Sequence, residues 1–226
     1  NSDLFYLPFE VLLASDEQKA FDQLDYLVKR FEISYHYSAT TYKRLQAQPK
    51  IIDYSFVGFA PIFENGLELD EQTRSLPFLV DSLYRSLDNS RLSALPNTKV
   101  EITTISSFLP KSNTNIVLLG KSATKTALSK SLKLEVQFLH IATHGLVNYV
   151  NPNLSALACY NEATYQGNFL FGNEIQNAKV NADLVILSSC ESGIGRQMDG
   201  EGLIALNRSF IIGGANNVIF SLWKVN

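Results

Sequence analysis

Residues 135–145, EVQFLHIATHG, and residues 184–193, LVILSSCESG, decide the fold of this chain. Each begins as a short, nearly continuous apolar run and ends abruptly in small polar residues. Such runs suit strands covered on both faces, as in a parallel or mixed sheet. Residues 32–37 (EISYHY), 51–60 (IIDYSFVGFA), 115–119 (NIVLL) and 217–223 (NVIFSLW) read the same way, giving about six strands. Helical patterns lie between them. In residues 79–92, Leu79, Val80, Leu83 and Leu87 recur at three- and four-residue spacings. Residues 125–132 follow the capping stretch Ser122-Ala123-Thr124. In residues 203–212, Leu203, Leu206, Phe210 and Ile211 share a face, and Gly213-Gly214 supplies the stop. The polar stretches 45–49 and 94–98 read as loops. This alternation predicts an α/β domain with helices on both sheet faces.

Composition excludes several classes. Of 226 residues, 46% are hydrophobic and 18% charged, against roughly 25% charged in average proteins, so the chain has the makings of a core and is not disordered. No apolar run reaches the ~18 residues of a membrane span. A net charge of −3 excludes a generic nucleic-acid backbone binder. Two cysteines, Cys159 and Cys190, are too few for a disulfide scaffold. The length suits one domain. The chain opens at Asn1 without methionine and stops just after an apolar run, so it reads as a segment of a longer protein.

In α/β sheets, reactive residues gather just past the carboxyl ends of strands. Past FLHIAT stand His144-Gly145, and past LVILSS stand Cys190-Glu191-Ser192-Gly193. A histidine near a cysteine favours the thiolate and can later protonate a leaving amine. Their separation of 46 residues leaves room for a crossover between neighbouring strands. The Gly145 and Cys190 N–H groups could face a developing oxyanion. Buried cysteines are commonly inert, but Cys190 precedes a polar, glycine-rich stretch, whereas Cys159 within LSALACY reads as packing. His140 projects to the same side of its strand as His144. It lies inside the apolar run, so it reads as a hydrogen-bonded core histidine. His36, between Tyr35 and Tyr37, reads as sheet surface or core.

The blocks FLHIATHG (138–145), LVILSSCESGIG (184–195), GEGLIALNRSFIIGGA (200–215) and NVIFSLWKV (217–225) closely resemble the CHAT domain, a caspase-like cysteine peptidase family. Weaker matches at Tyr6-Leu7-Pro8-Phe9, at Ile33-Ser34-Tyr35 with Ser38-Ala39-Thr40, and at Leu118-Leu119-Gly120 with Ala123-Thr124 extend the likeness over most of the chain. The cysteine block is not the caspase QACRG, so the likeness is to this subfamily and the wider fold. It implies a single domain over residues 1–226, a caspase-like three-layer α/β/α sandwich with a mainly parallel sheet of about six strands. It implies Cys190 as nucleophile, His144 as proton shuttle, and the N–H groups of Gly145 and Cys190 as oxyanion hole. The strand carrying Ser221 and Trp223 would line the substrate groove, where an extended peptide adds by β-pairing.

The resemblance further implies a cysteine endopeptidase acting on a dedicated protein substrate. It would be the effector module of a longer, cytoplasmic bacterial signalling or defence protein, governed by an N-terminal regulatory module of helical repeats. No metal, cofactor, nucleic acid or membrane is required. An acidic first pocket would select arginine or lysine. Asp199 is the candidate, with Asp183 and Glu201 beside it in sequence, although helix capping explains such residues equally. Arg196 would conversely favour an acidic substrate residue. The family's chains begin with a further strand and end with an acidic residue and a helix, so both ends of the domain are expected to be cut. The competing reading is a catalytically silent scaffold with the same fold.

Other motifs fail on detail. Gly120-Lys121-Ser122 lacks the glycine that a phosphate loop needs at Asn115. Gly200-Glu201-Gly202 does not directly follow a strand, as a dinucleotide fingerprint would. His140 and His144 flank Ile141, without the glutamate of a zinc peptidase helix. Ser188, Ser189 and Ser192 stand in no G-x-S-x-G elbow.

Overall fold

Of the six apolar runs, the first forms no strand across its described residues, 32–36. A computed structural model describes residues 7–15, 20–36, 38–46, 52–64, 66–68, 91–110, 114–146, 148, 151–160, 168–189, 196–198, 202–204 and 206–221. The chain divides into two units, Asn1–Pro49 and Lys50–Asn226. In the first unit, the Tyr35 hydroxyl accepts a hydrogen bond from the Phe9 N–H at 2.9 Å and donates to Glu10 Oε2 at 2.8 Å. The polar half of the run is thus satisfied locally, without a neighbouring strand. His36 is exposed and packs on Tyr42 with ring centroids 4.4 Å apart, so it is neither sheet surface nor core. Helix α1 (Ala39–Gln46) follows.

In the second unit the other five runs form one parallel sheet. Its strands are β1 (Tyr54–Ala60), β2 (Asn115–Leu119), β3 (Val136–Ala142), β4 (Ala182–Ser188) and β5 (Asn217–Phe220). The spatial order is β5-β4-β3-β1-β2, with every neighbour parallel. Among the described residues four helices accompany it: α2 (Pro96–Phe108), α3 (Lys125–Ser131), α4 (Gly172–Asn177) and α5 (Leu206–Gly213).

Side chains alternate across the strands and split the core in two. On one face Val57, Phe59, Leu139, Ile141, Val185 and Leu187 pack with Leu128 of α3, Ile175 of α4 and Phe210 of α5. On the other, Phe56, Ala60, Phe138 and Ala142 meet Ile102 and Ile105 of α2. Each fully buried Val, Leu, Ile or Phe among them contributes about 1.5–3 kcal/mol by area transfer. The α/β/α layering is as the sequence predicts, with five strands in the sheet among the described residues. Gly58 lets α2 approach β1: a Cβ there would lie 2.6 Å from Ile102 Cγ2.

Helix α2 corrects the reading of residues 94–98 as a loop. Pro96 opens the helix, where its missing N–H costs nothing. The Thr98 hydroxyl closes the first turn onto the Leu95 carbonyl at 2.7 Å. Helix α5 begins at Leu206, three residues later than expected, because Gly202–Ile204 pairs antiparallel with Arg196–Met198. Its stop is as expected: Gly214 has φ +121°, and its N–H reaches the Phe210 carbonyl at 3.1 Å. Thr124 caps α3, accepting from the Ala127 N–H at 3.1 Å. The helix expected over 79–92 lies outside the described residues, except that Arg91–Leu92 pairs with Leu67–Glu68 as a two-stranded ribbon. Gly145–Leu146, Ala156–Ala158 and Phe169–Phe171 form a small antiparallel sheet. Cys159, just beyond it, is fully buried, as packing requires.

Candidate active site

The strand order reverses at one point. From β1 the chain moves outward to β2, and from β3 it moves the other way to β4 and β5. The carboxyl ends of β1 and β3 therefore flank the crevice where α/β sheets collect ligands. His144 stands two residues past the end of β3. Its Nε2 lies 2.8 Å from the Ser93 carbonyl oxygen. A carbonyl can only accept, so Nε2 carries the hydrogen and the neutral ring keeps its lone pair on Nδ1. The Phe63 ring lies against the imidazole, centroids 5.7 Å apart. Burial pushes the His144 pKa below its ordinary 6.5, and the Ser93 carbonyl opposes this only in part. The imidazole is thus a neutral base at neutral pH.

Both groups that hold His144 come from strained or stitched loops. Just past β1, Ile62 and Phe63 have φ of 69° and 50°. Left-handed backbone costs such side chains about 1–2 kcal/mol each. Three hydrogen bonds hold the bend: Leu95 N–H to the Ile62 carbonyl at 2.6 Å, Phe63 N–H to Pro61 at 2.8 Å, and Gly66 N–H to Phe63 at 2.7 Å. The first of these also joins the bend to the segment that carries Ser93.

Gly145 follows in its own short strand. The Ala158 N–H donates to the His144 carbonyl at 2.9 Å, which makes Gly145 and Leu157 a non-hydrogen-bonded pair. The Gly145 N–H accordingly points away from its partner strand. Next to β3, Ala142 is in register with Ser188, the last residue of β4. The Ser221 hydroxyl donates to the Ser189 carbonyl at 2.8 Å, tying the exit of β5 to that of β4. Cys190, Asp199, Glu201 and Trp223 lie outside the described residues. Asp183 accepts from Asn216 Nδ2 at 3.0 Å, a structural bond at the amino end of β4.

His140 is 5% exposed, and its Nε2 lies 2.8 Å from Glu101 Oε1 on α2, the hydrogen-bonded core histidine the sequence suggests. Burial alone would raise the Glu101 pKa, but hydrogen bonds from His140 and Ser188 and the charge of His140 bring it below the ordinary 4.5. Sequence reasoning missed Ser93, Phe63 and Glu101. Ser93 acts through its backbone, and Glu101 sits 39 residues from its histidine. Among the described residues no group of three or more His, Cys, Asp or Glu side chains could hold a metal ion. No helix among them is long and apolar enough to cross a membrane.

A parallel sheet between helical layers, with a half-buried neutral histidine at its switch point, has the architecture of a caspase-like α/β sandwich. The CHAT domain family model matches residues 1–226, the whole chain, and the chain belongs to this family of caspase-like cysteine peptidases. No curated protein matches the chain.

Proposed function

We propose that the protein is a cysteine endopeptidase in which Cys190 is the nucleophile and His144 its proton shuttle. The observation that carries this reading is the setting of His144. Its Nε2–H is committed to the Ser93 carbonyl, which leaves Nδ1 as base, and its strand pairs with the strand whose chain reaches Cys190 one residue after Ser189. In the reaction, His144 Nδ1 takes the thiol proton and the Cys190 sulfur bonds to the scissile carbonyl carbon. The N–H groups of Gly145 and Cys190 receive the oxyanion. His144 passes its proton to the departing amine as the C–N bond breaks. Water, deprotonated by the same nitrogen, then cleaves the thioester and regenerates the thiol.

An extended protein segment would pair along β5, with Ser221 and Trp223 beyond it contributing to the groove, and Asp199 would favour arginine or lysine at the cleaved bond. No metal or cofactor takes part. The substrate is one dedicated protein, and an N-terminal regulatory module of the full-length protein governs access. A reducing cytoplasm suits the free thiolate. Cys190→Ala should abolish cleavage of a peptide library by the full-length protein, and His144→Ala should lower it by at least about 10²-fold, both with unchanged circular dichroism. Cleavage surviving Cys190→Ala would overturn the mechanism. A folded wild-type protein that cleaves nothing, even in the presence of its regulatory module, would favour the silent scaffold.

A further inference from the structure

A polar cluster interrupts the apolar layer between α2 and the sheet. Glu101 of α2 accepts hydrogen bonds from His140 Nε2 on β3, at 2.8 Å, and from the Ser188 hydroxyl on β4. Phe56, Ala60, Ile102, Phe138 and Ala142 make the apolar layer on the same face of the sheet, and the Glu101 side chain remains about one-third exposed at its edge. His140 Nδ1 is buried with no hydrogen-bond partner among the described residues. Such a pair is a poor stabiliser, since water reaches its carboxylate and screens part of the attraction. Hydrogen bonds do supply direction. One carboxylate here grips two adjacent strands at staggered rows, His140 on β3 and Ser188 two residues from Cys190. The same helix is entered through Ser93, which holds His144.

We propose that Glu101 and His140 are positioning residues that fix the exits of β3 and β4 against α2, and so set His144 against Cys190. The proposal rests on the dyad reading above. Neither residue touches the reacting atoms. Glu101 fixes the helix whose entry segment orients the imidazole, and it fixes the last residue of the strand leading to the thiol. A relative shift of ~1 Å between reacting groups can cost about 10²-fold in rate, so a tie between the two exits has work to do.

The test is the pH profile of Cys190 alkylation by iodoacetamide, followed by mass spectrometry with buried Cys159 as internal control. A histidine that stabilises the thiolate keeps Cys190 reactive below the ordinary thiol range near 8.5. Glu101→Leu and His140→Leu should move that profile upward by about one pH unit, in the direction of His144→Ala, and slow alkylation at neutral pH about tenfold. Glu101→Gln and Ser188→Ala, which keep most of the packing, should move it less and the same way. Should the leucine variants fail to fold by circular dichroism, these two decide. Unmoved profiles in folded variants, beside a shifted His144→Ala profile, overturn the positioning role. An unmoved His144→Ala profile instead overturns the dyad, and the positioning role with it.

Discussion

His144 is neutral at neutral pH because partial burial disfavours its charged form, and this has a consequence for stability. Its folded pKa lies below the ordinary 6.5, so between those values the unfolded chain binds more protons than the folded one. Stability from this residue is complete above about pH 6.5 and declines as pH falls below it. Glu101, held below its ordinary 4.5, contributes stability above that value, lost as pH falls through its folded pKa. Both effects weaken the fold in acid. Urea midpoints measured against pH should fall less steeply just below pH 6.5 in His144→Gln than in wild type. Parallel slopes would refute the argument. At this scale the sequence was readable where chemistry resides in a side chain at a strand end, as with His144 and its glycine. It was silent on Glu101, whose partner lies on a distant strand, and on Ser93, which serves through an oxygen every residue possesses.

Elements were legible where apolar residues run nearly unbroken. Strands β1 to β5 are almost continuous apolar runs, mostly buried in the inner β1 and β3 and partly exposed in the edge strands β2 and β5. Residues 32–36 carry the same residue types, but there Tyr35 finds partners in Phe9 and Glu10 instead of a neighbouring strand. Helix α2 was hidden because its inward face rests on Ile102 and Ile105 while Val100 and Phe108 stay exposed, so no clean stripe marks it. Its close seat on β1 can be tested. Gly58→Ala would push a methyl to within 2.6 Å of Ile102 Cγ2 and 2.7 Å of the Phe56 ring. Overpacking of this kind costs about 1–3 kcal/mol. The loss in urea midpoint should shrink when Gly58→Ala is made in an Ile102→Ala background. An equal loss in both backgrounds would show that the helix does not set the fit.

For the second unit as a whole, one sheet serves two cores. Leu128 belongs to the face under α3, α4 and α5, and Ile102 to the face under α2. Because β1, β2 and β3 contribute side chains to both cores, neither layer can melt without exposing the backbone ladder that the other relies on. Leu128→Ala and Ile102→Ala should therefore each destabilise the same cooperative transition, by about 2–5 kcal/mol. Calorimetry that resolved a split transition in either variant would contradict this coupling. The same sheet places the candidate site. Strand order reverses between β1 and β3, so loops from both open over one crevice, and Phe63, Ser93 and His144 meet there from three separate stretches of chain.

The oxygen that orients His144 belongs to the main chain, and this changes what heredity can alter. Any amino acid at position 93 presents the same carbonyl, so replacing Ser93 one letter at a time leaves the acceptor standing, and a scan of alanine substitutions passes over it. Spacing is another matter. Only two residues separate Ser93 from Pro96, where α2 begins, and Leu95 between them is bonded to Ile62. An inserted or deleted codon in that interval would carry the oxygen away from the ring while every side chain of the site stayed in the gene. The spelling of this part of the site is free, and its length is not.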